Sequence, residues 1–198
     1  EFDKDSGFVD MVLEDQHSTS VMVVECKRVL DSSWIFLSPN LNARNRSHAK
    51  AWITRFCNGS FKYFDWADIS LDPSSIESEY CVIPGQDAKS KPMLERIAAE
   101  LVSATEAIAI EEKEYQAQSK DALRMYFSVI VTTAKLNVCN FDPEQISLID
   151  GKVTDQKFTE VPFVRFRKQL STQKPHVTLN LMDGFNALVR AKEHTVFE

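Results

Sequence analysis

The chain has 198 residues, of which 43% are apolar and 26% charged, and its formal net charge at pH 7 is -6. These values are typical of a globular domain and exclude a disordered, fibrous or collagen-like chain. The negative charge excludes a uniformly basic nucleic-acid coat, although it does not describe how the charges are distributed. We expect a single domain spanning 1–198.

The spacing of the four cysteines argues against a zinc-binding protein. They are widely spaced, form no CxxC pair and have no histidines at the spacing of a metal site. No apolar run reaches the roughly 18 residues that a membrane-spanning helix needs, and the charged start is not typical of a secretory signal peptide. We therefore expect reduced thiols and a soluble, cytoplasmic protein with no membrane partner.

The first elements along the chain are predicted to be strands. Two β-branched runs, at 7–14 and 20–30, flank the polar segment DQHSTS, and this pattern predicts a hairpin. Residues 31–90 are rich in turn residues and predict an elaborated insertion. Within it we expect a short helix near 48–55 and a strand near 60–64.

The clearest helix is predicted at 92–115, where a proline suits the first turn and apolar residues recur at helical spacing. Strands are predicted at 125–132 and 136–141, followed by a turn at Asp150-Gly151. The remaining predictions are extended segments VPFVRFRKQL and HVTLNL, a short helix FNALVRAKE and a last strand TVF. This order indicates an α/β or α+β fold with a mixed central sheet flanked by helices.

Charged residues interrupt both strands of the predicted hairpin. Glu25 and Lys27 point the same way because residues i and i+2 of a strand share a face, and the hairpin can bring Asp10 beside Glu25. Two carboxylates form an oxygen-rich site suited to Mg²⁺, with the carbonyl of Cys26 as a further candidate ligand. Lys27 can stabilise negative charge or orient a water during phosphodiester hydrolysis.

Asp10, followed by fourteen residues and then by Glu25-Cys26-Lys27 at the end of a β-run, resembles the PD-(D/E)XK nuclease superfamily. Val9 stands where the eponymous proline would be. The resemblance implies a restriction-endonuclease-like fold, in which a helix follows the strand that carries Glu25 and Lys27 and packs on a mixed sheet. It also implies that Asp10 and Glu25 bind Mg²⁺, with Mn²⁺ as a substitute, and that Lys27 is catalytic in an endonuclease.

Two alternatives to a catalytic site stay open. Glu25 and Lys27 can simply pair with each other on a half-exposed strand. The chain can also be a catalytically inactive nuclease-fold module that binds nucleic acid or a protein partner, an alternative motivated by the negative net charge and by the short segment before Asp10. For the nuclease we expect DNA as the substrate, with RNA as the alternative. A homodimer or a partner domain is compatible with either function.

Candidate substrate contacts come from two stretches without acidic residues, 32–64 and 161–182, and from positions near the predicted site. In the first stretch cations alternate with aromatic residues, a mixture that can hold phosphates and pack bases. In the alternative interpretation the aromatic residues are core and the cations are solvated. Residues before the main helix can likewise be plain loop residues that face water. The candidates are Arg28, Gln86, Lys91, Arg44, Arg46, Lys50, Arg55, Arg165 and Arg167.

Overall fold

A computed structural model describes residues 8–39, 48–70, 76–85, 92–119, 121–147, 149 and 156–167, which form a mixed α+β fold made mostly of strands. The strands are β1 (Met11–Glu14), β2 (Ser20–Lys27), β3 (Ser33–Pro39), β4 (His48–Cys57), β5 (Ser60–Ser70), β6 (Glu77–Ser78), β7 (Tyr80–Val82), β8 (Asp121–Thr132), β9 (Lys135–Phe141), β10 (Lys157–Glu160) and β11 (Arg165–Phe166). The helices are α1 (Met93–Glu111), α2 (Lys113–Gln116) and a 3-10 turn at Pro143–Gln145. In this part of the chain no helix has the length and apolar character needed to cross a membrane.

The main layer is a five-stranded mixed sheet in the order β1-β2-β8-β4-β5. β1 and β2 form an antiparallel hairpin, whereas β2 and β8 are parallel, with Lys27 opposite Thr132. β4 is antiparallel to both of its neighbours, β8 and β5. Parallel neighbours require a crossover connection, and α1 lies in this crossover and packs against both β2 and β8.

Both faces of the main sheet are apolar because alternate residues of a strand point to opposite sides. The face toward α1 is built from Val21, Val23, Trp52, Leu101, Ala109 and Tyr126. The opposite face is built from Ala51, Ile53, Ala67, Ile69, Leu123 and Met125. The central strands therefore have apolar residues at consecutive positions, as expected for strands covered on both sides.

A second sheet continues from the first in the order β10-β9-β3-β7. β3 follows β2 in the chain, and β9 follows β8. β3 and β9 are parallel to each other, as β2 and β8 are, so the parallel pairing of the first sheet is repeated in the second. A third apolar cluster lies beside this sheet and includes Trp34, Phe36, Leu94 and Val138. β6 and β11 form a short parallel pair.

The hairpin, the main helix and three strands predicted from the sequence are confirmed. The predicted helix at 92–115 corresponds to α1 followed by the single turn of α2. The strands predicted at 60–64, 125–132 and 136–141 lie in β5, β8 and β9, of which β5 and β8 are longer than predicted. The class prediction of α+β is correct at that level.

The short helix predicted near 48–55 is wrong, because these residues belong to strand β4. Ala51 and Ile53 face one side of the sheet, Trp52 and Thr54 face the other, and all four are buried. A strand buried on both faces has a continuous apolar run that periodicity alone does not separate from a helix. The rest of 31–90 contributes β3 and the strands from β5 to β7.

Several predictions near the carboxyl terminus fall outside the described residues. These are the turn at Asp150-Gly151, the extended segment HVTLNL, the helix FNALVRAKE and the strand TVF. The segment VPFVRFRKQL is described as far as Arg167, and it contains the short strand β11.

Candidate active site

The register of the β1-β2 hairpin brings the three predicted catalytic residues to one end of the main sheet. Met11 pairs with Val24, so the preceding residue, Asp10, lies at the level of Glu25. Lys27, two residues further along β2, shares the face of Glu25.

Asp10 is fixed to the neighbouring strand by a hydrogen bond. The chain bends at Asp10, and its Oδ2 atom accepts a bond of 2.7 Å from the backbone N–H of Cys26. The carboxylate thus meets a backbone donor at the point where the β1-β2 ladder ends. Because N–H and C=O of one strand residue point to the same edge, the carbonyl of Cys26 also faces the edge where Asp10 lies.

Glu25 and Lys27 continue the face of β2 that carries Val21 and Val23 and is covered by α1. The Lys27 Nζ atom donates a hydrogen bond of 2.5 Å to Glu25 Oε1. The Glu25 side chain is 20% exposed and the Lys27 side chain 33%, so the ion pair lies at the margin of the core and is reachable from solvent. Both charged side chains are therefore partly buried.

The oxygen atoms of this site are of the chemical type that hard divalent cations bind. Among the described residues, Asp10 Oδ1 and Glu25 Oε2 accept no hydrogen bond, since each carboxylate uses its other oxygen. No set of three or more His, Cys, Asp or Glu side chains within the described ranges could hold a metal ion. Two carboxylates and a carbonyl suit Mg²⁺, which usually keeps several waters and binds through one or two carboxylates.

The amino-terminal end of α1 lies at the same end of the sheet as this site. Leu94, in the first turn of the helix, belongs to the cluster that contacts Val29 and Ile130. Ile130 pairs with Glu25 across the β2-β8 ladder. Gln86 and Lys91, which precede the helix, fall outside the described residues, as do Arg44 and Arg46.

The remaining candidate substrate contacts on the main sheet do not share one surface. Arg28 is exposed and directly follows Lys27. Lys50 and Arg55 are five residues apart on β4 and therefore face opposite sides of the sheet. Arg55 pairs with Leu123, and Thr132 lies nine residues further along β8, which places Arg55 roughly 30 Å from the site end.

Arg165 and Arg167 lie beside an acidic residue of a neighbouring strand. Arg167 forms an ion pair of 3.2 Å with Glu77, which is on β6. Burial lowers the pKa of Arg165, while the charge of Glu77 opposes this shift. The stretch 161–182 contains no acid in sequence, but the β6-β11 pairing supplies one and neutralises part of its positive charge.

A second polar cluster, missed by the sequence analysis, lies at the opposite end of the main sheet. Arg124 is 8% exposed and forms ion pairs of 2.8 Å with Glu14 and 2.9 Å with Glu112. Tyr126 donates to Glu112 and accepts from Gln116, and burial followed by the bond to Glu112 raises its pKa. The sequence does contain a pattern that indicates this cluster, because Arg124 is a charged residue within the apolar run of β8, as Glu25 is within that of β2.

The chain was compared with family models, with curated proteins and with solved structures, and none of these comparisons finds a match.

Proposed function

We propose that this protein is a Mg²⁺-dependent nuclease that hydrolyses phosphodiester bonds of DNA, with a PD-(D/E)XK-type site. Asp10 and Glu25 would hold the metal, together with the carbonyl of Cys26. The observation that carries the proposal is the position of Asp10 relative to β2. The hairpin register places Asp10 at the level of Glu25, and its carboxylate accepts a hydrogen bond from Cys26, between Glu25 and Lys27.

The chemistry required of these residues is limited to positioning and electrostatics. A bound Mg²⁺ would supply an activated water and charge stabilisation for the phosphoryl oxygens. The ammonium of Lys27 stabilises negative charge on the scissile phosphate or holds the attacking water. Its pairing with Glu25 in the free protein keeps the amine at the site before substrate arrives.

The packing around the site agrees in part with a restriction-endonuclease-like arrangement, while the chain order differs from it. The strand that carries Glu25 and Lys27 is followed by the strands from β3 to β7 and only then by α1, which packs on the parallel pair of β2 and β8. The resemblance implies that a helix follows this strand, whereas here five strands of the described part of the chain intervene; the feature that agrees with it is a crossover helix packed on a parallel pair of strands. The likeness is one of packing, and it belongs to the proposal.

Cleavage of supercoiled plasmid in the presence of Mg²⁺ or Mn²⁺ tests the proposal. The wild-type protein should nick or linearise the plasmid, and EDTA should abolish cleavage. Asp10→Asn, Glu25→Gln and Lys27→Ala should each lose on the order of 100-fold or more in rate, a typical cost of removing one electrostatic contact to the transition state. Lys157→Ala, on exposed strand β10, removes a lysine charge away from the site and is the matched control.

A second candidate, binding without turnover, is favoured by two observations. In the described part of the chain the free protein holds Lys27 in an ion pair with Glu25, and no third acidic side chain completes a cluster for a metal ion. A nuclease-fold module of this kind would bind nucleic acid or a protein partner and leave the plasmid intact. Retention of labelled duplex DNA in a gel shift, with no cleavage in any divalent metal, would favour this second candidate.

A further inference from the structure

Where the main sheet ends, next to Lys27, Thr133 connects the segment after β8 to the segment after β2 by hydrogen bonds. β2 ends at Lys27 and β8 ends at Thr132, and both chains then bend toward the second sheet. Thr133 is the first residue after β8. Its hydroxyl accepts a hydrogen bond of 2.9 Å from the Val29 N–H and donates one of 2.7 Å to the Val29 carbonyl.

Thr133 also binds Lys27 itself. The backbone N–H of Thr133 donates to the carbonyl of Lys27 at 3.3 Å. The segment that leaves β2 is therefore held at Lys27 and again at Val29, after the regular ladder has ended at the pair of Lys27 and Thr132. Since these two bonds are exposed and the Val29 backbone would otherwise bond to water, the hydroxyl fixes the geometry of the backbone more than it stabilises the fold.

We propose that Thr133 is a positioning residue for Lys27, because its hydroxyl fixes the backbone that presents the lysine amine to Glu25. Lys27 is the last residue of β2, and a terminal strand residue frays unless something holds the chain beyond it. Side chains that act in catalysis need supporting contacts of this kind, since a displacement of about 1 Å can cost a large factor in rate. The catalytic part of this inference rests on the proposed nuclease function.

The test compares Thr133→Val, which keeps the shape and removes the hydroxyl, with Thr133→Ser, which keeps the hydroxyl. Thr159→Val makes the same chemical change at an exposed position of β10 and is the matched control. Two readouts do not depend on activity: the hydrogen-exchange protection of the Val29 amide and the NMR signal of the Lys27 ε-methylene. The third readout is the Mg²⁺-dependent plasmid cleavage rate, separated into kcat and KM.

In Thr133→Val we expect Val29 protection to fall roughly 2- to 10-fold, the Lys27 signal to shift, and kcat to fall on the order of 10-fold with KM unchanged. Thr133→Ser should restore all three, and Thr159→Val should match the wild type. Unchanged Val29 and Lys27 signals in Thr133→Val would overturn the proposal, and so would altered signals with full kcat. If the wild type does not cleave, the proposed nuclease function fails, and the two NMR readouts still decide whether Thr133 positions Lys27.

Discussion

Substitution of Tyr126 by phenylalanine tests the polar cluster at the far end of the main sheet. Tyr126 is 0% exposed, and its hydroxyl donates to Glu112 at 2.5 Å and accepts from Gln116 at 2.7 Å and from Arg124 Nε at 3.2 Å. The phenylalanine keeps the ring and removes only this oxygen. Any change in the free energy of unfolding therefore reports on the hydrogen bonds.

The size of the change in the free energy of unfolding depends on which hydrogen bonds the partners of Tyr126 keep in the variant. Glu112 and Arg124 keep their mutual ion pair of 2.9 Å, whereas the buried Gln116 keeps Thr54 as a partner for its oxygen but loses the acceptor for its amide N–H. A lost bond to a charged group costs about 1.5–3 kcal/mol, and an unsatisfied buried donor costs about 1–3 kcal/mol. Because the remaining contacts offset part of this, we expect Tyr126→Phe to lower the free energy of unfolding by about 3 kcal/mol.

The assay is equilibrium unfolding in urea, with thermal unfolding as a second measure. For a chain of this size a loss of about 3 kcal/mol corresponds to a fall in Tm of roughly 6–12 °C. Tyr115→Phe is the matched control, because Tyr115 is 71% exposed and its loss of a hydroxyl should change stability by less than about 0.5 kcal/mol. If Tyr126→Phe is no less stable than Tyr115→Phe, the cluster does not stabilise the fold and the reasoning is refuted.

Three further predictions concern metal binding, pH and thiol reactivity. Asp10→Asn should weaken Mn²⁺ binding at least about 10-fold by calorimetry while leaving Tm nearly unchanged, since it removes one of two carboxylate ligands; equal affinity would contradict the proposed ligand set. Hydrogen bonds from Ser18 and from a neighbouring arginine lower the pKa of Glu14 from its ordinary value of 4.5, so its stabilising contribution is present above pH 4.5 and is lost as the pH falls through the lower folded value; Glu14→Gln should flatten the acid limb of the stability profile in urea. Exposed Cys26 should react with iodoacetamide before Cys81, whose thiol pKa burial raises to about 12, and peptide mapping by mass spectrometry would show the order.

The local elements could be predicted because their patterns depend on neighbours in sequence. Helix α1 has apolar residues at helical spacing after a proline, and the hairpin has two β-branched runs around a polar loop. β4 could not be identified in the same way, since burial on both faces removes the alternation that marks a strand. The pairing of β2 with β8 and the second sheet depend on contacts between distant residues, which a single sequence does not reveal.

The relative placement of the candidate site residues was predictable for a related reason. Glu25 and Lys27 share a face by strand alternation, and a hairpin of this loop length brings Asp10 alongside, so three positions follow from local geometry. The hydrogen bond from the Cys26 N–H to Asp10 was not predictable, because it depends on the bend before β1. Arg124 was missed although it carries the same signal, since its partners lie in other elements far away in sequence.

The proposed substrate contacts were the least predictable part. A stretch without acidic residues indicates a positive surface only if no other element supplies acids to it. Arg167 illustrates the difference, because β6 places Glu77 within 3.2 Å of its guanidinium. Lys50 and Arg55 show a second reason: two cations close in sequence on one strand can face opposite sides of the sheet and so do not form one positive surface.

Plasmid cleavage measured for wild-type protein and Lys27→Ala, each with Mg²⁺ and with EDTA, is the most direct test that Asp10, Glu25 and Lys27 form a metal-dependent site. We expect Mg²⁺-dependent cleavage by the wild-type protein, none with EDTA, and a loss on the order of 100-fold in Lys27→Ala. Absence of cleavage by the wild type, or equal rates for both proteins, would contradict this expectation.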